Sequence, residues 1–431
     1  MRYRAYHTRP RLCFGIQKER NGGNGSMETN ELRIVPHTSS FVFWQTNRTK
    51  QRKCSIETNE LRNTTRLRLC ITSKIQQRFL EHSLNLNKIM FNFKLNNRDK
   101  KEMNRKVLVT GGRGFIGSFL VETLLDQGFE VRCLLRNSGK GLSWLKNLPI
   151  EISYGDLTHP VTLSKAVEGV EYVFHLAGLT KAIHYKQYYQ ANVEGTRNLL
   201  QACMEQNTGI KCFVYVSSLA AAGPSRDGKP LTENDPPHPI SDYGRSKLQG
   251  EEITMHYKNH FPVTIIRPPV VFGPRDRDVL NFFKMAKLGV CPVLSGGERL
   301  SSVIFVKDLV EGMILAATHP DATAQIFYLS NEHPYSWDKF SRLIGEVLQK
   351  KIRKIVVPIF AVFKLALISH LYARFTHRTT LFNLDKYREI KQKYWLCDST
   401  KARRILGFQT KFELRQAIQE TLQWYEENGW L

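Results

Sequence analysis

The chain has 431 residues, 42% of them hydrophobic and 24% charged, which suffices for one large or two modest domains around a sizeable core. Eight cysteines lie scattered with no CxxC and no paired framework, which excludes a disulfide-stapled secreted scaffold and points to reduced thiols in a cytoplasmic setting. The formal charge of +24 raises nucleic acid or an anionic membrane as partners, yet there is no zinc spacing, RNA-binding aromatic signature or long Lys/Arg block; a moderately basic enzyme with anionic ligands is the more economical expectation.

Residues 1–102 hold 21 Lys and Arg against 8 Asp and Glu and show little periodicity. Ser26–Arg33 recurs almost unchanged as Ser55–Arg62, and two copies are too few to stack into a solenoid. No apolar signal core follows Met1. The stretch is expected to be a basic, disordered extension or to lie ahead of the native start, with Met103 directly before the first strand as the natural beginning; an Arg-rich transit segment is the alternative.

From Met103 onward strand-like and helix-like runs alternate. Strands are expected at Lys106–Thr110, Glu130–Leu135, Ile150–Tyr154, Glu171–His175, Cys212–Ser217 and Val263–Arg267, with helices at Phe115–Gln127, Thr162–Val167, Tyr188–Glu205 and Ser241–Lys258. Short Val/Ile/Phe-rich strands separated by helices predict an α/β fold with a doubly wound parallel sheet over residues 103–270. Residues 271–431 read as a smaller, α-rich substrate region. Within it Ile355–Phe375 is apolar but interrupted by Pro358, Lys364, His370 and Arg374, so it is expected to fall short of a transmembrane helix. A lid or core helix is the preferred reading, and an interfacial membrane helix the alternative.

Thr110-Gly111-Gly112-Arg113-Gly114-Phe115-Ile116-Gly117 stands between the first strand and the first helix, where a dinucleotide fingerprint belongs. Gly111 allows the tight turn, Gly114 lets a pyrophosphate approach the backbone, and Gly117 lets the helix pack closely. The phosphates would meet the free N–H groups of the helix start at Phe115 and Ile116. Further on, Tyr243 and Lys247 share one helix face at i and i+4, so an ammonium beside the phenol is expected to favour phenolate and fit Tyr243 for proton transfer. The strand Phe213–Val216 ends in Ser217 and Ser218, either of which could hold the same substrate oxygen.

Seven ordered motifs resemble the extended short-chain dehydrogenase/reductase superfamily, in its epimerase/dehydratase-like group: the glycine run, Gly155-Asp156-Leu157, His175-Leu176-Ala177-Gly178, Asn192–Thr196, Val216-Ser217-Ser218, Tyr243-x-x-x-Lys247 and Arg267–Pro274. The resemblance implies a Rossmann fold binding NAD(P), with Ser218, Tyr243 and Lys247 catalytic and Lys247 also on the nicotinamide ribose. It further implies that Asp156 and Leu157 flank the adenine, that Ala177 and Gly178 line the phosphate and ribose path, and that Arg267–Val270, with Pro268 and Val270, closes over the nicotinamide. Asn192 matches a structural position. Where NAD users of this group carry an acid after the second strand, this chain has Leu135 and then Arg136, which suits the 2′-phosphate of NADP(H).

Phe327–Trp337 looks more like the 3-beta-hydroxysteroid and sterol dehydrogenase branch than the nucleotide-sugar branch. The leading expectation is an oxidoreductase interconverting a secondary alcohol and a ketone on a sizeable apolar substrate. A nucleotide-sugar epimerase or dehydratase with retained cofactor, or a non-catalytic NADP(H)-binding protein, are the alternatives. Arg275, Asp276 and Arg277 are candidates to meet a charged substrate. The resemblance implies a homodimer through the Tyr243 helix; neither nucleic acid nor a metal is expected.

Overall fold

The computed structural model describes residues 31–37, 40–47, 50–54, 105–137, 139, 141–376 and 383–431. The chain divides into two units, Met1–Arg98 and Asp99–Leu431. In the first, the strands Glu31–His37, Ser40–Asn47 and Lys50–Cys54 pair antiparallel. The rest of the stretch 1–102, and Met103, lie outside the described residues.

The second unit is organised by a seven-stranded sheet: β1 (Lys106–Thr110), β2 (Glu130–Leu135), β3 (Glu151–Tyr154), β4 (Tyr172–His175), β5 (Cys212–Val216), β6 (Val263–Arg267) and β7 (Gln325–Tyr328). Every neighbouring pair is parallel, in the order β7-β6-β5-β4-β1-β2-β3. Alternate side chains enter opposite cores. Val107, Val109 and Val214 face one layer with α1 (Phe115–Asp126) and a helix at Val306–Thr318. Leu108, Phe213 and Tyr215 face the other with α2 (Gly195–Gln206) and α3 (Asp242–His256). Strand order reverses between β1 and β4, the place where open sheets of this kind form a crevice at their C-terminal ends.

Six strands match the sequence expectation to within a residue at each end; the seventh does not follow from it. Gln325–Tyr328 belongs by position to the region assigned as the smaller substrate part, yet it pairs with β6, Ile326 opposite Ile265. The line drawn at residue 270 therefore cuts through the sheet. Its apolar Ile326-Phe327-Tyr328 run covers the edge that β6 would otherwise expose. Past Leu280 the chain adds the helices Leu280–Lys287 and Trp337–Val347 and a parallel pair, Val290–Leu294 with Arg353–Val357. Then come α4 (Ile359–Thr376) and α5 (Leu384–Ile390). The core-helix reading of this stretch is overturned, because α4 buries only Ala366 and Ala373.

A buried ion pair joins the sheet to α3. Arg267, at the end of β6, donates from Nη2 to Glu251 Oε2 (2.6 Å) and from Nε to Oε1 (2.9 Å), with both side chains 3% exposed. Arg267 Nη1 reaches the Tyr328 hydroxyl on β7 (3.1 Å), and the Ser217 hydroxyl donates to Glu251 Oε1 (2.5 Å). The Arg267 side chain is thus engaged in structure rather than turned to a ligand. Replacing Glu251 by Ala leaves a guanidinium buried without its counter-charge, so the expected loss is roughly 3–5 kcal/mol, read as a lower denaturant midpoint. A midpoint unchanged from the parent's would show the pair to be dispensable.

His175 ends β4 between two hydroxyls, Nδ1 with Thr110 Oγ1 (2.7 Å) and Nε2 with Thr196 Oγ1 (3.0 Å). Burial, reinforced by the Lys247 charge, pushes its pKa down to about 3, so the ring is neutral in the fold. Below the unfolded value near 6.5 the unfolded chain binds a proton that the native ring refuses. Stability is therefore full above about pH 6.5 and falls by up to about 1.4 kcal/mol per pH unit below it from this group. Denaturation at stepped pH from about 6.5 to 5 checks this: the slope should be shallower in His175→Gln than in the parent, and equal slopes would remove His175 as the cause.

Candidate active site

The expected site residues gather along the C-terminal edge of the sheet. Thr110 ends β1, and Gly111 turns with φ +77°, where an added Cβ would lie 2.9 Å from the Ala177 nitrogen. That contact brings the β1 turn against the Ala177-Gly178 turn after β4, and Thr110 Oγ1 accepts from Ala177 N (3.1 Å). A Cβ at Gly117 would lie 2.2 Å from Gly111 O, so the first helical turn sits on the loop that precedes it. The sequence reading gave Gly117 a packing role against the sheet; its close neighbour is this loop.

At the start of α1, Gly114 is the N-cap and gives no side-chain hydrogen bond, and the first turn contains no acid. The leading N–H groups, with Phe115 and Ile116 among them, are therefore left for an outside acceptor. This arrangement fits a pyrophosphate, and Gly111, Gly114, Phe115, Ile116 and Gly117 are the residues that would hold it. Arg136, just past β2, is exposed. Asp156 follows β3; burial pushes its carboxyl up, but the Thr158 N–H and hydroxyl with the Arg136 charge hold it below the usual carboxylate range. Leu157 packs against Gly195, while Pro268 and Val270 follow β6.

Sequence reasoning missed Arg113. Its Nη1 donates to Arg136 O (3.2 Å), and its buried Nε has no partner among the described residues. Two guanidinium groups thus stand at the β2 end of the crevice. The signal was present, since an arginine occupied the middle of the glycine run.

On the other side of the crevice, Ser218 caps a short helical turn, its Oγ accepting from Ala220 N (3.1 Å), and its hydroxyl is near enough to Tyr243 to ease the phenol's ionisation. Burial pushes the Tyr243 phenol up to about 12; the Ser218 hydroxyl works against this and the Glu389 charge adds to it. Lys247 is buried one turn along α3. Its Nζ donates to Val216 O (2.6 Å) and lies 4.2 Å from the Tyr215 ring centroid. Burial lowers the ammonium to about 7, opposed by the Glu251 charge. Lys247 gives one of its three donors to the strand-end carbonyl, and burial is the largest influence on the phenol's protonation. Ser217 is tied to Glu251, which leaves Ser218 as the serine on Tyr243.

Two acids outside every sequence motif hold the start of the Tyr243 helix. Asp385 on α5 accepts from Asp242 N (2.8 Å) and Tyr243 N (3.4 Å), and Glu389 Oε1 accepts from the Ser241 hydroxyl (2.7 Å). They complement the positive end of α3. Asn192, in the π-helical stretch Tyr189–Glu194, bonds both Leu179 backbone groups and Ser246 Oγ, as a structural residue does. Arg275, Asp276 and Arg277 do not reach the crevice as free charges. Arg275 forks onto Glu122, Asp276 caps Asp278 and Val279, and Arg277 lies over the Trp430 ring.

Comparison with known proteins agrees with this geometry. The family model of the NAD dependent epimerase/dehydratase family matches residues 107–329. A ceramide reductase of Caulobacter vibrioides is 29% identical over 326 residues, covering 75% of this chain and 96% of its own. A 3 beta-hydroxysteroid dehydrogenase/Delta 5-->4-isomerase of Mycobacterium tuberculosis is 31% identical over 352 residues, covering 74% and 90%. The crystal structure of a UDP-glucose 4-epimerase with UDP-glucose from Thermotoga maritima shares the fold with a TM-score of 0.62, at 22% identity over 75% of this chain and 99% of that one. With the doubly wound sheet, the uncapped glycine turn and the Ser218–Tyr243–Lys247 edge, these likenesses make the chain an enzyme of the NAD dependent epimerase/dehydratase family, within the extended short-chain dehydrogenase/reductases.

Proposed function

We propose that the protein is an NADP(H)-dependent oxidoreductase that interconverts a secondary alcohol and a ketone on a sizeable apolar substrate. The observation that carries this reading is the Tyr243 phenol, near the Ser218 hydroxyl and on the helix face it shares with Lys247, across the crevice from the phosphate turn. The nicotinamide, when bound, supplies or accepts the hydride. At neutral pH the phenol, with its pKa raised to about 12, holds its proton and is ready to donate to a ketone oxygen; in the opposite direction it receives the alcohol's proton. Ser218 steadies the same oxygen, and Lys247 orients the ribose from its buried position beside Val216 O.

The apolar substrate class draws support from two directions. The charged residues after Pro274 are engaged within the protein rather than free to bind a sugar nucleotide. The similar proteins named above include a ceramide reductase and a hydroxysteroid dehydrogenase. The cofactor preference rests on Arg136 and Arg113, whose guanidinium groups offer a 2′-phosphate forked donors where an acid would repel it.

Tyr243→Phe should bind nucleotide as the parent does and lose about 10²–10⁴-fold in turnover of apolar ketones or alcohols; undiminished turnover removes Tyr243 from the chemistry. For the cofactor, Arg136→Ala should weaken NADPH about tenfold, with NADH little changed, and adding Arg113→Ala should widen the loss. Titration of both nucleotides reads the ratio. Equal weakening of the two would take the arginines out of cofactor selection.

A further inference from the structure

The exposed helix α4 has no place in the reaction described above. Among the described residues it is the one helix long and apolar enough to cross a membrane, with 18 residues at a mean hydropathy of 1.3. The sequence reading put this stretch short of that mark because Pro358, Lys364, His370 and Arg374 interrupt it; Pro358 falls before the helix, and the other three are spread along it. Exposed apolar side chains cover a broad arc of it, from Phe363 through Phe360, Leu371 and Ile368 to Tyr372 and Leu365, with Lys364 standing among them. Phe360 is 62%, Ile368 65% and Phe375 85% exposed. The strand leading into it adds exposed Ile355 and Val356. So large a contiguous apolar patch marks an interaction surface.

The chemistry of the surroundings selects the partner. Residues 350–393 hold eleven Lys and Arg against two acids, Asp385 and Glu389. Both acids are committed to the start of the Tyr243 helix. Arg353, Lys354, Lys364 and Arg374 are exposed, and none of them pairs with a carboxylate among the described residues. Basic residues on and beside an apolar helix match the two attractions that an anionic bilayer offers, apolar burial and headgroup charge.

The anchoring of the helix decides how it meets the bilayer. Ile359 N donates to Ser295 Oγ (3.1 Å) at one end, and Phe363 lies against Tyr387 of α5, ring centroids 5.3 Å apart. Beyond the other end, α5 returns to the Ser241–Tyr243 helix start. A helix of this length rises about 27 Å, nearly a hydrocarbon thickness, and a span would carry its far end across the membrane from the fold it rejoins. We infer that α4, with the basic residues flanking it, lies in the interface of an anionic lipid bilayer and docks the enzyme there, its crevice linked to that surface through Asp385 and Glu389. This inference stands apart from the choice of substrate.

The test is flotation of the full chain with phosphatidylcholine vesicles made with and without phosphatidylserine. The parent should float with the anionic vesicles, less so as salt rises, and hardly at all with phosphatidylcholine alone. Phe360→Glu/Leu371→Glu/Phe375→Glu should lose at least about tenfold in vesicle partitioning while keeping the parent's thermal melt, since these side chains are exposed. Arg353→Gln and Lys354→Gln should each weaken the anionic-vesicle partition by roughly fivefold. A parent that ignores both vesicle types overturns the inference. So does a triple variant that floats as the parent does, which would assign the binding to residues elsewhere in the chain, and so does protein that resists alkaline carbonate extraction, which would mean a true span.

Discussion

The ion pair between Glu251 and Arg267 occupies the point where α3 meets the ends of β5, β6 and β7. A charge removed from water costs several kcal/mol, and the cost is met here by a two-pronged guanidinium–carboxylate contact with two further hydroxyls on its rim. The pair fixes α3 in rotation and height against the sheet. Tyr243 and Lys247 lie on that helix, and Ser218 follows directly on Ser217, which the pair also holds. The relation among the three side chains of the proposed chemistry thus depends on a contact none of them makes. Lys247 is drawn into the same neighbourhood, with the Glu251 charge partly offsetting its burial.

The opposite wall of the crevice is held by backbone proximity instead of charge. Gly111 brings the first turn against Ala177, and Gly117 seats α1 on Gly111 O. Neither contact tolerates a Cβ, and together they leave the helix start uncapped and facing the place where the strand order reverses. Thr110 and His175 tie the two turns from below through side-chain hydrogen bonds in a dry environment. One wall therefore presents N–H donors and arginines to an anion, and the other a neutral phenol and a buried lysine. An anionic cofactor and an uncharged substrate oxygen are the ligands to which such walls are complementary.

The segment after residue 350 carries a different kind of organisation. Its first part, residues 350–393, contributes little to the core, yet two acids of that part cap the helix that bears Tyr243, and Glu389 adds to the elevation of the phenol's pKa. The exposed apolar helix is thereby followed in the chain by α5, whose acids hydrogen-bond the start of the helix that bears Tyr243. Whatever positions α4 acts on the same short stretch that positions the start of α3.

The sequence by itself determined the elements whose signals are local. Val/Ile/Phe runs bounded by turn residues marked six of the seven sheet strands, and glycine spacing marked the phosphate turn, because both depend on residues next to one another in the chain. The i, i+4 spacing of Tyr243 and Lys247 placed them on one helix face for the same reason. What the tertiary structure decided is long-range. Gln325–Tyr328 joined the sheet because β6 had an open edge; Asp385 and Glu389 found a helix start some 140 residues away. One Lys247 donor went to Val216 O, a carbonyl 31 residues away that the i, i+4 spacing does not reveal. Arg275 and Asp276 turned inward onto Glu122 and the Val279 turn. The burial of α4 was likewise undetermined by its composition: an apolar run reads alike in a core or on a surface, and only the placement of its neighbours left this one bare.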